Sequence, residues 1–278
     1  MKDSINFNNL ANTVLVKKVL EQASKSESRI LEADFIDLYG ESNVDKDLAE
    51  VERLDKEFSK TDTVESRESK KMADAFEFIV NEQIELADWL GESTNTYKTA
   101  LYDDYKNGID TVTEIVTDDR YSSYFGLAFD VSYANDVTKK FQRIKWEIDK
   151  GVLPKIKYFQ SENTDFRGEL SEIPRVVIGA DRNTIDELME LVLKKDALSN
   201  RELASHFFQF QLIEEIMYQL EVFKAYAESV NQPQIAKKYD ILAGIIRDIQ
   251  KGKKVRDPRD RDTFLGNMKD SCDHIFKK

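Results

Sequence analysis

Two aspartates stand at positions where a carboxylate can do chemistry. Asp110 lies at the start of one strand-like run, and Asp130 interrupts another, residues 125–133, in which large apolar residues alternate with small or polar ones. This alternation predicts a strand with one packed face and one face that carries Asp130. If the two strands are neighbours, the two carboxylates converge. Such a pair repels unless a proton or a cation lies between them, and Mg²⁺ or Mn²⁺ suits carboxylate oxygens.

The charge along the chain changes sign just after these strands. Residues 71–134 hold 13 acidic and 4 basic side chains, whereas residues 135–160 hold 7 basic and 3 acidic ones. A metal site beside a phosphate-contacting surface would produce this order. Two solvated faces would produce it as well, and charge alone favours that alternative. The net charge of −12 argues against a protein that coats nucleic acid without specificity.

The order of these features resembles the PD-(D/E)XK nuclease superfamily, which has the restriction-endonuclease-like fold. The resemblance rests on YDDYKNGIDTVTEI from Tyr102 to Ile115 and on YFGLAFDVSYA from Tyr124 to Ala134, and it covers residues 72–180. It implies a metal-dependent nuclease that hydrolyses phosphodiester bonds in nucleic acid, DNA rather than RNA. Asp110 and Asp130 would then be catalytic residues that hold Mg²⁺ or Mn²⁺.

The catalytic lysine of the superfamily is displaced in this sequence. The superfamily has a lysine two residues after the second acid, where this chain has Ser132. The resemblance allows a neighbouring element to supply the lysine. Lys140 is the first choice, because it flanks the buried stripe of the helix over 136–150, whereas Lys139 points away. Lys155 and Lys157 are the second choices.

A glutamate from the helix before the first strand often joins the metal ligands in this superfamily. Glu77, Glu82 and Glu85 are the candidates, and Glu82 is preferred because it flanks an apolar row of that helix. The alternative to an enzyme is a catalytically inactive nuclease-fold protein, an interaction module whose C-terminal helices bind a protein partner. Ser132 and the acidic net charge favour that alternative.

The elements that must position these residues form an α/β (α+β) fold. Helices are predicted over 72–90, 136–150 and 183–195, and strands over 109–116, 124–133, 154–160 and 174–179. They predict a small mixed β-sheet flanked by helices, with a restriction-endonuclease-like core over 71–195. Residues 1–70 and 196–278 are predicted to be helical extensions, since Gly and Pro are scarce, at 10 and 4 residues. Residues 59–70 are expected to be a linker or an exposed helix end.

Several classes of function are disfavoured. No run of about 18 apolar residues predicts a membrane span, and the N-terminus lacks the apolar stretch of a secretory signal. Cys272 is the sole cysteine, so we expect no disulfide framework and a cytoplasmic location. The two histidines exclude a His-rich metal site, and His206 is expected to serve packing.

The remaining polar and aromatic candidates are assigned structural roles. Asp103 and Asp104 are predicted to form a turn before the first aspartate's strand, although either could approach the site. Trp89 and Trp146 are expected to pack in the core or at its rim.

Overall fold

A computed structural model describes residues 2–26, 29–118, 121–131, 134–253 and 261–277. Within these ranges, the description excludes the side chains of residues 2–12, 61, 118, 121, 128–131 and 134–136. The first part of the chain is helical: after α1 and a short 3₁₀ turn come three further helices. Their bounds are α1 Lys2–Ser26, the 3₁₀ turn Glu32–Phe35, α2 Ile36–Tyr39, α3 Glu41–Thr61 and α4 Val64–Leu86.

The segment over 59–70 is the end of one helix and the start of the next. Thr63 begins α4 with a capping box: its hydroxyl accepts a hydrogen bond from the Ser66 amide, and its own amide donates to the Ser66 hydroxyl. This reciprocal pair of hydrogen bonds satisfies two backbone N–H groups at the start of α4. Helix α4 can therefore begin directly after α3 ends.

The middle of the chain forms two sheets with three helices. In chain order its elements are β1 Thr94–Lys98, α5 Leu101–Asn107, β2 Thr111–Asp118, β3 Tyr121–Val131, α6 Ala134–Lys150, β4 Ile156–Gln160, β5 Arg167–Leu170, β6 Arg175–Ala180 and α7 Arg182–Lys194. The main sheet has the order β1-β2-β3-β6. Its first three strands are antiparallel, and β6 runs parallel to β3. Strands β4 and β5 form a separate antiparallel pair. The predicted mixed α/β class is confirmed.

The end of the chain is helical, as predicted. It contains α8 Ala197–Ala204, α9 Phe208–Ser229, α10 Pro233–Gly252 and α11 Thr263–Phe276. One main hydrophobic cluster joins this part to the rest: it includes Val19 of α1, Ile79 of α4, Phe125 of β3 and Phe223 of α9. The three predicted segments therefore share a core. No helix in the described ranges has the length and apolarity needed to cross a bilayer.

Helix α9 covers the open edge of β6 with side chains. The Gln219 amide donates to the Val177 carbonyl and accepts from the Val177 amide, both at 2.7 Å. Glu215, which is fully buried, accepts from the Gly179 amide at 3.1 Å. These bonds supply the partners that another strand would give, and so they protect an edge strand from further pairing.

Candidate functional site

A cavity of about 180 Å³ lies where the start of β2 meets α4, α5 and α6. Its charged lining consists of four carboxylates and two ammonium groups, from Lys70, Asp74, Glu77, Asp104, Asp110 and Lys140; Ala73 completes the lining. Three helices and one strand therefore bring charged side chains to a single place. The cavity contains Asp110 and Lys140, two of the four site residues that we predicted from the sequence.

Asp110 is held in place by its backbone. Its amide donates to the Leu127 carbonyl of β3 at 3.2 Å, and its carbonyl accepts from the Thr99 amide at 3.1 Å. The condition for convergence of the two aspartate-bearing strands is met, because β2 and β3 are antiparallel neighbours with Thr111 opposite Leu127. The backbone of Asp130 lies in β3, opposite Gly179 of β6, and its side chain lies outside the described set. Convergence of the two carboxylates stays a prediction.

The turn before Asp110 is fixed by a buried ion pair. Arg175 of β6 donates to the carbonyl oxygens of Asn107 and Gly108, at 3.0 and 3.1 Å, and to the Glu147 carboxylate of α6 at 2.8 Å. Only 4% of the Arg175 side chain is exposed. Gly108 has a φ of +66°, and a Cβ added there would lie 2.6 Å from the Arg143 guanidinium. The turn therefore favours glycine because of its positive φ, whereas the contact with the end of the flexible Arg143 side chain could be relieved by a movement of that side chain.

Glu77 is the glutamate of α4 that the structure places at the cavity. Its carboxylate accepts from the Thr111 hydroxyl at 3.0 Å and lies 3.6 Å from the Lys98 ammonium. Glu82 is five residues further along α4, about 140° around the helix axis from Glu77, and is half-buried. Glu85 is committed to β1, where it accepts from the amide and hydroxyl of Thr96.

A signal for Glu77 was present in the sequence. Glu77 stands between Phe76 and Phe78 in an otherwise apolar run, and burying an unpaired carboxylate is costly. This neighbourhood indicates a carboxylate with a specific partner. The preference for Glu82 depended only on its position beside an apolar row of the helix, which does not indicate a partner for its carboxylate.

The prediction of a turn at Asp103 and Asp104 was wrong, because both residues lie in the first turn of α5. Asp104 lines the cavity and accepts from the Arg29 guanidinium at 3.2 and 3.3 Å. Asp103 points to the smaller sheet and accepts from the amides of Lys157 and Tyr158. Burial raises the pKa of Asp103 to about 6, against the opposing effect of these hydrogen bonds. The two aspartates therefore serve different sites.

Among the lysines considered from the sequence, the structure brings Lys140 to the cavity. Lys140 is half-buried there, while Lys139 is exposed. Lys155 pairs with Glu169 at 2.7 Å, and Lys157 pairs with Asp47 of α3. The aromatic rings of Tyr39, Tyr102 and Tyr158 also lie around the Lys157 ammonium. Through Asp47 and Tyr39, Lys157 contacts the N-terminal helices α3 and α2.

Two carboxylates of the cavity, those of Asp104 and Asp74, have a raised pKa. Burial, followed by the nearby Asp110 carboxylate, raises the pKa of Asp104 to about 7, against the Arg29 guanidinium, which lowers it. Burial also raises the pKa of Asp74, and Asp110 adds to this effect, while Lys98 and Lys70 oppose it. Such a group of carboxylates gains stability from a proton or a cation between its members.

The donor chemistry of the cavity fits Mg²⁺ or Mn²⁺, both of which bind carboxylate oxygens. The volume is also sufficient, since a water molecule occupies about 30 Å³ of liquid and the cavity about 180 Å³. Among the described side chains, however, no three histidines, cysteines, aspartates or glutamates are grouped closely enough to hold a metal ion. The described carboxylates therefore provide suitable ligands but not a full set.

Of the remaining candidate residues, His206 and Trp89 pack inside the protein, whereas Trp146 is exposed. His206 accepts from the Phe208 amide and stacks on Trp89, so its expected packing role is confirmed. Trp89 is fully buried and donates to the Leu203 carbonyl. Trp146 lies on the outer face of α6, with 58% of its surface exposed.

Comparison with known proteins gives this chain no relative: no family model, no curated protein and no solved structure matches it.

Proposed function

We propose that this chain hydrolyses phosphodiester bonds in nucleic acid, DNA rather than RNA, with Mg²⁺ or Mn²⁺, as a divergent member of the PD-(D/E)XK superfamily. The observation that carries the proposal is the shared cavity of Asp110, Glu77 and Lys140. An acidic helix, an aspartate at a strand start and a lysine-bearing helix meet there, in the order in which the resemblance has them. The preference for DNA comes from the resemblance alone.

In the proposed reaction, Asp110 and Glu77 would hold the metal ion, with Asp130 as the further ligand that the sequence suggests. The chemistry supplied by a metal ion at this place would be polarisation of the scissile phosphate and a lowered pKa of a bound water molecule. Lys140 donates to the phosphate oxygens and stabilises the charge that develops on them. Asp104, with its pKa raised to about 7, is suited to accept a proton from the attacking water near neutral pH.

The basic residues around the carboxylates support a phosphate ligand. Lys70 and Lys140 line the cavity, Lys98 lies beside Glu77, and Arg29 contacts Asp104. Acidic groups at the centre with cations around them suit a metal-bound phosphate, because the ion needs oxygen ligands and the phosphate needs cations. A reducing, cytoplasmic location is part of the proposal, and the buried free thiol of Cys272 is compatible with it.

The alternative is a catalytically inactive nuclease-fold protein that binds a protein partner through its helices. The ion pairs of Arg29 with Asp104 and of Lys98 with Glu77 favour it, because they neutralise cavity carboxylates within the chain. In that case the cavity is a structural cluster and gains little from a metal ion.

The deciding experiment is a cleavage assay on single- and double-stranded DNA and RNA, with Mg²⁺, Mn²⁺ or EDTA. We expect metal-dependent cleavage that Asp110→Asn abolishes. Lys140→Ala should reduce the rate by several orders of magnitude, whereas Lys139→Ala should cost much less, because the two side chains leave α6 about 100° apart. Melting curves of each variant check that it is folded.

Measurements at two salt concentrations separate catalysis from binding. If Lys139→Ala and Lys140→Ala have equally small effects that added salt mimics, Lys140 contributes only to the electrostatic attraction of nucleic acid. Absence of cleavage by the unmutated protein, on all four substrates with either metal, contradicts the proposal and supports the binding module.

A further inference from the structure

The outer face of α6 carries a narrow row of cations around an exposed tryptophan. Lys139, Arg143, Trp146 and Lys150 follow one another at intervals of four, three and four residues, and all four are exposed. At about 100° per residue they lie within a sector of about 60°. We call these four residues the α6 stripe. The opposite face of the helix, with Phe141, Ile144 and Ile148, is buried in the main core.

Trp146 has surroundings unlike those of the other tryptophan. Trp89 is fully buried, whereas 58% of Trp146 is exposed. Exposing so much apolar surface on a helix with an otherwise charged outer face has a cost that a smaller or polar residue would avoid. A ring available for contact is the feature to be explained.

The stripe is electropositive in an acidic protein. Its three cations stand on a chain of net charge −12. The nearest acidic residues of the described helix are shared with cations outside the stripe: Glu147 lies 3.5 Å from Arg143 and is also paired with the buried Arg175, and Asp149 accepts from Lys145 and Tyr226. The charge pattern therefore complements an anionic ligand.

We propose that the α6 stripe binds single-stranded nucleic acid, with a base stacked on Trp146 and with phosphates on Lys139, Arg143 and Lys150. Aromatic stacking combined with backbone-neutralising cations is the common physical basis of single-strand binding. The inference rests on the proposed function in one respect only, namely that the bound nucleic acid reaches the candidate site. Lys140, adjacent to Lys139, lines the cavity, so a strand on the stripe would run past the candidate site.

Other anionic partners fit the stripe less well. A paired duplex keeps its base faces stacked inside, so it would use the cations but not the ring. A membrane-binding helix needs a wide apolar face, whereas the stripe offers one tryptophan among cations and the other apolar face of α6 is buried. The isolated aromatic therefore favours a single strand.

The test measures the binding of a fluorescent 15-nucleotide single strand, as DNA and as RNA, by anisotropy in EDTA at low salt. We expect Trp146→Ala to weaken binding by about tenfold to a hundredfold, the range found for losing one stacked base. Trp146→Phe, which keeps an aromatic face, should recover most of the affinity. Lys150→Gln should weaken binding a few-fold and lower its salt dependence, while Lys237→Gln, an exposed lysine on α10, should have no effect.

A second readout reports on the ring itself. Single strands should quench tryptophan fluorescence, and Trp146→Phe should remove that quenching, since Trp89 is buried. Because Trp146 is on the surface, its variants should melt with the unmutated protein, so loss of binding is not loss of folding.

Three results overturn the inference: no single-strand binding, binding that Trp146→Ala leaves unchanged, or Trp146-dependent binding to vesicles of anionic phospholipid in place of the oligonucleotide. Failure of the proposed function has a different signature. Binding is measured without metal, so Trp146-dependent binding without cleavage contradicts the nuclease proposal and leaves the stripe intact.

Discussion

Two acidic residues four positions apart, Asp110 and Glu114, have opposite surroundings in the same part of the sheet. Glu114 lies within β2, is fully buried, and accepts hydrogen bonds from Tyr97, Tyr124 and Ser161 at 2.8 to 3.0 Å. Asn163 donates to it as well. Asp110, just before β2, shares its cavity with the carboxylates of Asp74, Glu77 and Asp104 and with the ammonium groups of Lys70 and Lys140.

The pKa values follow from this difference. Burial alone would raise the pKa of Glu114, but the donors led by Asn163 and Tyr97 outweigh it and hold the pKa below its usual value. At the cavity, burial and the Asp110 carboxylate raise the pKa of Asp104 instead. Burial of a carboxylate is therefore not by itself a sign of function. Donors around a carboxylate indicate a structural anchor, and other carboxylates around it indicate a place for a cation.

The largest expected effect is on stability. Glu114→Ala leaves the hydroxyls of Tyr97, Tyr124 and Ser161 without their acceptor, so we expect a loss of about 3–5 kcal/mol in the free energy of unfolding. Asp110→Ala removes repulsion with Asp74 and Asp104 together with attraction to the cavity lysines, so it should change the free energy of unfolding by less than about 1 kcal/mol. Urea unfolding monitored by circular dichroism measures both.

Equal destabilisation by the two substitutions would contradict the comparison and make Asp110 a structural residue. Glu114→Gln is the matched control, because it keeps one acceptor oxygen and the size of the side chain. It should cost less than Glu114→Ala.

The second effect concerns pH. The raised pKa of Asp104 means that the stability it contributes is lost as pH rises through about 7. The lowered pKa of Glu114 has the opposite sign: its contribution is present above about 4.5, the usual pKa, and is lost as pH falls below it. A metal ion must displace the proton of Asp104, so the affinity for Mg²⁺ should rise about tenfold between pH 6 and pH 8.

Thermal shift against Mg²⁺ concentration at several pH values measures this affinity, because only the folded state assembles the ligands. Asp104→Asn should remove most of the pH dependence, and Asp110→Asn should remove the shift itself. A melting temperature that stays unchanged across millimolar Mg²⁺ and Mn²⁺ at pH 8 would contradict the metal site.

The sequence was sufficient for elements with strong periodicity. Residue alternation predicted that β2 and β3 are strands, and the amphipathic pattern of α6 predicted that Lys140, and not Lys139, lies beside the buried face. Both predictions need only local geometry. The α/β class followed from the four predicted strands and the helices predicted between and around them.

The parts that the sequence missed depend on contacts between distant segments. Helix α5 has seven residues, too few for a periodic signal, and its Asp103 is fixed by backbone amides of β4. Asp104 is oriented by Arg29, 75 residues earlier in the chain. Strand β1, with the sequence TNTYK, is short and polar because it lies at the edge of the sheet. No local pattern encodes these pairings.

The smallest expected effect distinguishes the two glutamates of α4. Glu77 lines the cavity, but its carboxylate is already engaged by the Thr111 hydroxyl and lies near the Lys98 ammonium. Its removal should therefore weaken metal binding only partly, by about threefold to fivefold for Glu77→Gln, which keeps the acceptor for Thr111 and removes the charge. Glu82→Gln, about 140° around the helix, should change the affinity by less than about twofold. Calorimetric titration with Mn²⁺ at pH 8 resolves the difference. A larger effect of Glu82→Gln would restore the glutamate chosen from the sequence as the metal ligand and move the site along α4, away from the cavity of Asp110.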